Sequence, residues 1–366
     1  MGVGRRVTVG WLAAAAALAG WSGVAVAHEE YVVDEREDVA LAAFYRDALS
    51  DPAVVGPLLA GGVSLLVAAV VFLYARPGER DVVAFRVAMS EYRDYVPWLL
   101  RISFGIPLIG AGFGGYFVSP AVEVELRLLQ VLLGFLLLFG LGTRLVAVAA
   151  LVVYLVGAAI EPLLLLQLEM VGGMAAIAIA GSGRPSADHV LQRLAGTSGT
   201  LASRTVPLFD RVESLQDRAR PAGRYLPTVC RVGLGVTFVY LGASQKLLDP
   251  GLALAVVDHY QLTATIPVSP ELWVLAAGLT EVALGLALLA GVLTRGVALA
   301  ALIVFTMTLF ALPDDPVLAH VGLYGLASVL LITGGGPGSL DARWARGDPT
   351  VAVAPAERET ERQQTN

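Results

Sequence analysis

From Pro52 to Thr333 the sequence is dominated by apolar runs of about 20 residues, each closed by turn residues. That length carries an α-helix across a hydrocarbon core. A backbone in lipid must satisfy its own hydrogen bonds, so helices are the available solution. Composition agrees: 56% of the 366 residues are hydrophobic, only 15% are charged, and the mean hydropathy is +0.71. Soluble domains lie near 45–50% apolar and about 25% charged, so a water-soluble core is excluded. Cys230 is the only cysteine, which rules out an intrachain disulfide, a thiolate metal cage and a CxxC redox pair. Four histidines make multi-haem ligation hard to build, and no haem or iron–sulfur motif is seen. No nucleic-acid partner is expected; the membrane lipid is.

Taken in order, residues 1–27 combine Arg5 and Arg6, an apolar WLAAAAALAG and Ala25-Val26-Ala27, the pattern of a secretory signal peptide, or else of an uncleaved anchor. Cleavage after Ala27 would leave His28 as an α-amine plus imidazole, a known copper chelate, but an ordinary mature N-terminus is the better reading. Residues 28–96 then hold an acidic external segment with a short surface helix, one span from Pro52 to Ala75, and an amphipathic inner-surface segment. Spans near 97–118, 122–142, 144–160 and 163–181 follow. An arginine-rich linker at 189–225 leads to spans near 226–247, 271–292, 295–312 and 316–335, with a polar loop between the first two. A polar tail, 342–366, closes the chain. Arginine-rich loops alternate with acidic ones (Glu123, Glu125, Asp258, Asp314, Asp315), which by the positive-inside rule puts the mature N-terminus outside the plasma membrane and the C-terminus in the cytoplasm.

The two four-span groups align with each other. LLRISFGIPLIGAG at 99–112 matches VCRVGLGVTFVYLG at 229–242, QVLLGFLLLFGLGTR at 130–144 matches EVALGLALLAGVLTR at 281–295, and GSGRPSAD at 181–188 matches GGGPGSLD at 334–341. Three blocks in one order point to a tandem repeat. The expected fold is therefore an all-α integral membrane protein: two tandem four-helix bundles, 97–188 and 226–341, plus one extra N-terminal span. An even number of spans separates the copies, so they run parallel, unlike the inverted repeats of many transporters.

The copies differ in their ionisable residues. Glu281 aligns with Gln130, Lys246 with Tyr116 and His320 with Gln167. An intramembrane charge is costly and marks a functional hypothesis. Glu281 and His320 suit proton transfer if they face one cavity open to the outer leaflet, as quinol oxidation requires; otherwise Glu281 fixes helix packing. Lys246 either binds a substrate anion or snorkels to the headgroups. Arg231 and Arg295 need only positive-inside anchoring, Asp249 and Asp341 read as turn and cap residues, and His189 and His259 as solvated. Gly110-Ala-Gly-Phe-Gly-Gly115 fits GxGxxG by letter but has no preceding strand, so close helix approach at Gly110 and Gly114 is the better reading. Gly334 to Gly338 lacks the Lys-Ser/Thr of a P-loop.

Arg231, Gly242-x-x-x-Lys246 with Asp249-Pro250, the run from Glu281 through Gly285 and Gly291 to Arg295, and GPGSLD at 336–341 resemble the DoxX/DoxD family of four-helix membrane proteins. The resemblance covers about 110 residues well and 97–188 weakly. It implies a membrane subunit of a quinone-linked redox complex, passing electrons from a sulfur compound to quinone with a partner subunit or external redox protein. Glu281 and His320 would then be the proton groups and Lys246 the substrate contact; Arg231, Gly242, Gly285, Gly291 and Arg295 would be structural. A non-catalytic scaffold or assembly factor is the alternative reading, and a small-solute transporter a second.

Overall fold

The computed structural model describes residues 39–75, 77–123, 127–200 and 220–346. The signal peptide, His28 and the end of the tail lie outside the described residues. Within them the chain is helical, with one isolated antiparallel bridge between Tyr116 and Glu123. A short α1 (Leu41–Ser50) precedes α2 (Pro52–Ala75) and α3 (Glu79–Ser90). The first four-helix group is α4 (Val96–Gly114), α5 (Arg127–Phe139), α6 (Thr143–Ile160) and α7 (Glu169–Ala180), followed by α8 (Ala187–Ala195). The second is α9 (Leu226–Leu241), α12 (Pro270–Ala290), α13 (Thr294–Ala311) and α14 (Val317–Thr333), followed by α15 (Leu340–Arg346). Between α9 and α12 lie α10 (Pro250–His259) and α11 (Leu262–Thr265).

Among the described residues six helices, α2, α6, α12 and α13 among them, are long and apolar enough to cross a membrane, which makes this a multi-pass membrane protein. The spans expected near 122–142, 163–181 and 316–335 are shorter as helices. α5 is described over Arg127–Phe139, a 3₁₀ segment at Pro162–Gln167 stands before α7, and α14 begins after Pro316. Pro162 opens its segment behind the extended Glu161, as proline disfavours a helical residue before it.

The two groups interlock. α4 packs on α5 within its own group and on α14 of the other; α9 packs on α12 and on α7. So the first helix of each group lies against the last helix of its neighbour. Small residues allow both crossings: a Cβ on Gly172 would lie 2.6 Å from the Gly233 Cα, and one on Gly325 would meet Ser103. Gly110 faces Leu318 on α14, as close approach requires, but Gly114 faces the ring of Tyr116 in its own connection rather than a helix.

At one end each group is closed by aspartate caps and by arginines that donate to backbone carbonyls. Asp341 accepts the N–H groups of Leu293 and Thr294 at 2.8 Å each, and Asp188 accepts those of Gly142 at 2.6 Å and Thr143 at 3.2 Å. These caps satisfy the free N–H groups at the starts of α13 and α6. Arg231 donates to the carbonyls of Leu288, Leu289 and Gly335, and Arg295 to those of Leu331 and Ile332 at 2.9 and 3.0 Å. Arg101 reaches Pro185 O, and Arg144 reaches Ala178 and Ile179. Positive-inside anchoring therefore does not suffice for Arg231: it is 3% exposed and binds helix-terminal carbonyls inside the protein. Gly291, at φ +70° with a Cβ position 2.4 Å from the Ser339 side chain, is needed for that turn.

At the other end the connection expected to be a polar loop is a buried helical cap. Ala253, Leu254, Val256 and Val257 of α10 form a cluster with Phe44 and Ala48 of α1 and with Trp273 and Leu275 of α12. Pro250 at N1 and the Asp249 side chain, which accepts from Leu252 N–H, start this helix. Its apolar face is read in ALAVV, between the conspicuous Asp-Pro and Asp-His pairs.

Replacing Asp341 by Ala removes both caps from α13 and is expected to cost about 1–2 kcal/mol. Thermal unfolding of the detergent-solubilised protein checks this: the midpoint falls for Asp341→Ala and less for Asp341→Asn.

Candidate functional site

The ionisable residues of the second group sit where α9 changes its winding. Residues Gly242–Leu247 form a π-helical segment continuing α9, in which Leu248 N–H donates to Ala243 O at 2.8 Å. Such segments recur at functional sites because they redirect a side chain without ending the helix. Here Lys246 turns towards α12, and its Nζ lies 3.0 Å from Glu281 Oε2, with both side chains 1% exposed. Snorkelling is thus excluded as the placement of Lys246. Room for the pair comes from two glycines: a Cβ on Gly242 would lie 2.8 Å from the Glu281 Cβ, and one on Gly278 would lie 3.1 Å from the Lys246 Cβ. Two turns further along, Gly235 and Gly285 bring α9 and α12 into backbone contact: a Cβ on Gly235 would lie 3.0 Å from Gly285 O, and one on Gly285 2.7 Å from Gly235 O.

α1 covers this end. The Tyr45 hydroxyl donates to Leu247 O at 2.7 Å, which uses a carbonyl in the last π turn. Burial raises the Tyr45 pKa above its ordinary value, so the phenol remains a donor.

Glu281 and His320 have separate charged partners, Lys246 and Asp315. His320 Nε2 lies 3.4 Å from Asp315 Oδ2, both side chains fully buried, and Nδ1 is 3.4 Å from Pro316 O. An aromatic column holds it: Phe238 of α9 stacks on Phe305 of α13 at 5.3 Å, and the Phe305 ring meets the imidazole edge-on at 6.3 Å. Asp315, read from the sequence as an outer-loop charge, is 3% exposed; its neighbour Asp314 takes the surface role and accepts from Tyr260.

The first group has the same architecture without the charges. Gln130, at the position of Glu281, donates through Nε2 to Leu108 O at 3.1 Å and to Tyr116 O at 3.3 Å. α4 ends at Gly114 in a left-handed Gly115, with no π segment. A neutral amide there bonds the backbone, whereas the carboxylate of the second group holds an ammonium.

Two residues escaped sequence reasoning. Asp315 is the partner of His320, and its signal was its place five residues before that histidine. Glu169, 2% exposed at the start of α7, is a carboxyl within the apolar stretch LLLLQLEMVGGM, the same signal that singled out Glu281. Among the described residues no group of three His, Cys, Asp or Glu side chains is arranged to hold a metal.

Among known families, the DoxX family model matches residues 226–320, a stretch that holds the π segment, Lys246, Glu281, Asp315 and His320. No curated protein and no solved structure matches the chain.

Breaking a buried ion pair by removing one partner leaves an uncompensated charge and costs about 3–5 kcal/mol. Lys246→Met and Glu281→Gln are therefore each expected to lower the unfolding midpoint in detergent. The double variant Lys246→Met/Glu281→Gln should recover much of the loss; strictly additive losses would show that the pair is not coupled.

Proposed function

We propose that this membrane protein of the DoxX family is a subunit of a quinone-linked redox complex, and that Lys246 and Glu281 form its proton-handling pair. The observation that carries the reading is the pair itself. A charge couple held inside a span has no packing necessity, since the first group closes the same helix contact with the neutral Gln130. Intramembrane ionisable groups of this kind mark proton or substrate pathways.

Quinone reduction takes up two electrons and two protons, and quinol oxidation releases them. In the oxidative direction the two quinol O–H bonds break in turn: each proton goes to Glu281 Oε2, which passes the first on before it takes the second, and the Lys246 ammonium balances the charge left on the quinol oxygen. The electrons leave to a redox partner. In the reductive direction the same proton returns to the quinone oxygen, with a sulfur compound as electron source through that partner. His320, paired with Asp315 and walled by Phe305, is a second proton group on the same end of the bundle.

A scaffold role is the competing reading, favoured by the burial of both members of the pair against each other. Titration of a short-chain quinone into the purified protein separates the two. Saturable binding that weakens about tenfold or more in Glu281→Gln, equivalent to about 1.4 kcal/mol, supports the redox reading. No binding to either form, with both well folded, overturns it in favour of the scaffold.

A further inference from the structure

A separate polar site lies where the two groups interlock. Glu169 opens α7 of the first group, and its side chain rests against Gly322 of α14: a Cβ on Gly322 would lie 3.6 Å from the Glu169 Cγ. In the aligned sequences Glu169 and Gly322 occupy the same register of their groups, each 12 residues before the glycine that opens the closing motif, Gly181 in the first and Gly334 in the second. Two equivalent positions that touch must straddle the line about which the groups exchange. Only one of them carries a carboxyl, and the other is a glycine that gives it room.

Glu169 is buried and its Oε2 has no hydrogen-bond partner; it makes no ion pair among the described residues. A cavity of about 20 Å³ lies beside it, lined by Ser103, Phe104 and Pro107 of α4, by Gln167 and by Ala319 and Gly322 of α14. That is room for roughly one water molecule. Ser103 and Gln167 are the polar side chains besides Glu169; the remaining walls are apolar. Tyr154, the titratable neighbour, spends its hydroxyl proton on Leu164 O at 2.8 Å. A lone carboxylate in such surroundings is not sustained as an anion: without a cation or a set of donors, a buried acid keeps its proton. A single carboxyl with one serine and one amide is also too poor a donor set for a dehydrated metal cation.

We propose that Glu169 is a second proton-binding site of this chain, held as the neutral acid and exchanging its proton through water in the cavity between the two four-helix groups. It is distinct from the Lys246–Glu281 pair, and it does not depend on the quinone reading. A neutral carboxyl there donates to the cavity water and accepts a proton back from it, with no net charge change at rest. The two groups would then differ in how they hold a proton: one as a buried acid, the other in an ion pair.

Infrared spectra of the purified protein at neutral pH, in H₂O and after equilibration in D₂O, test this directly. The wild type should show a carbonyl band of an un-ionised carboxylic acid that shifts down in D₂O. That component should vanish in Glu169→Gln, persist in Glu281→Gln and move in Glu169→Asp, which keeps a carboxyl and reads the same group if the Gln variant folds poorly. If no band is lost in Glu169→Gln or displaced in Glu169→Asp, the group is ionised and the proposal fails. A Glu169 band that does not shift in D₂O would also overturn it, because the site would then be sealed from water.

Discussion

The last carbonyls of a helix have no partner within that helix, and inside a packed membrane bundle few donors stand nearby. The arginines answer this constraint. Arg231 spans from α9 to the end of α12, and Arg295 spans from the start of α13 to the end of α14. In the first group Arg144 reaches the last carbonyls of α7, while Arg101 reaches Pro185 O in the segment that follows it. A guanidinium offers five donors in a fixed fork, so one side chain can satisfy carbonyls on two turns. Together with the aspartate caps these contacts tie the ends of the helices at fixed separations. The glycine-mediated approach of α9 to α12 and the placement of Lys246 opposite Glu281 depend on that spacing.

Helix positions were legible because apolar length and turn residues report directly on a span, and Glu281 stood out because a carboxyl in an apolar run has few innocent explanations. Its partner was not legible. Lys246 lies near the end of an apolar stretch, where an outward-reaching lysine is equally natural, and only the π segment turns it inwards. Arg231 was read as a headgroup anchor for a similar reason: charge near a helix end is explained by the interface until the carbonyls around it are seen. α10 was missed because its Asp249, Asp258 and His259 flank a short apolar core, and a window long enough to detect a span averages them together. Asp315 reads as a loop charge because it stands beside Asp314 in a turn, and only its approach to His320 shows that it is buried.

The contrast between the two groups isolates what the charged pair adds. Both groups carry the arginine clamps, the aspartate caps and the paired glycines, so none of these requires Lys246 or Glu281. The first group reaches the same helix spacing with an amide bonded to two carbonyls. What differs is the local winding at the end of α9 and the cap of α1 and α10 laid over it. Those features occur together, with the ion pair beneath them and the hydroxyl of Tyr45 fastening the cap to the π segment.

The exchange of partners between groups has a consequence for assembly. α4, near the start of the first group, finds part of its burial only on α14, the final apolar helix of the second. Contacts so distant in sequence must wait while the intervening chain is made and inserted, and non-local closure slows folding. Until α14 arrives, Ser103, Phe104 and Glu169 face an unfilled groove. The nascent first group is thus an incomplete structure with a polar seam, exposed to quality control for as long as synthesis of the second group takes.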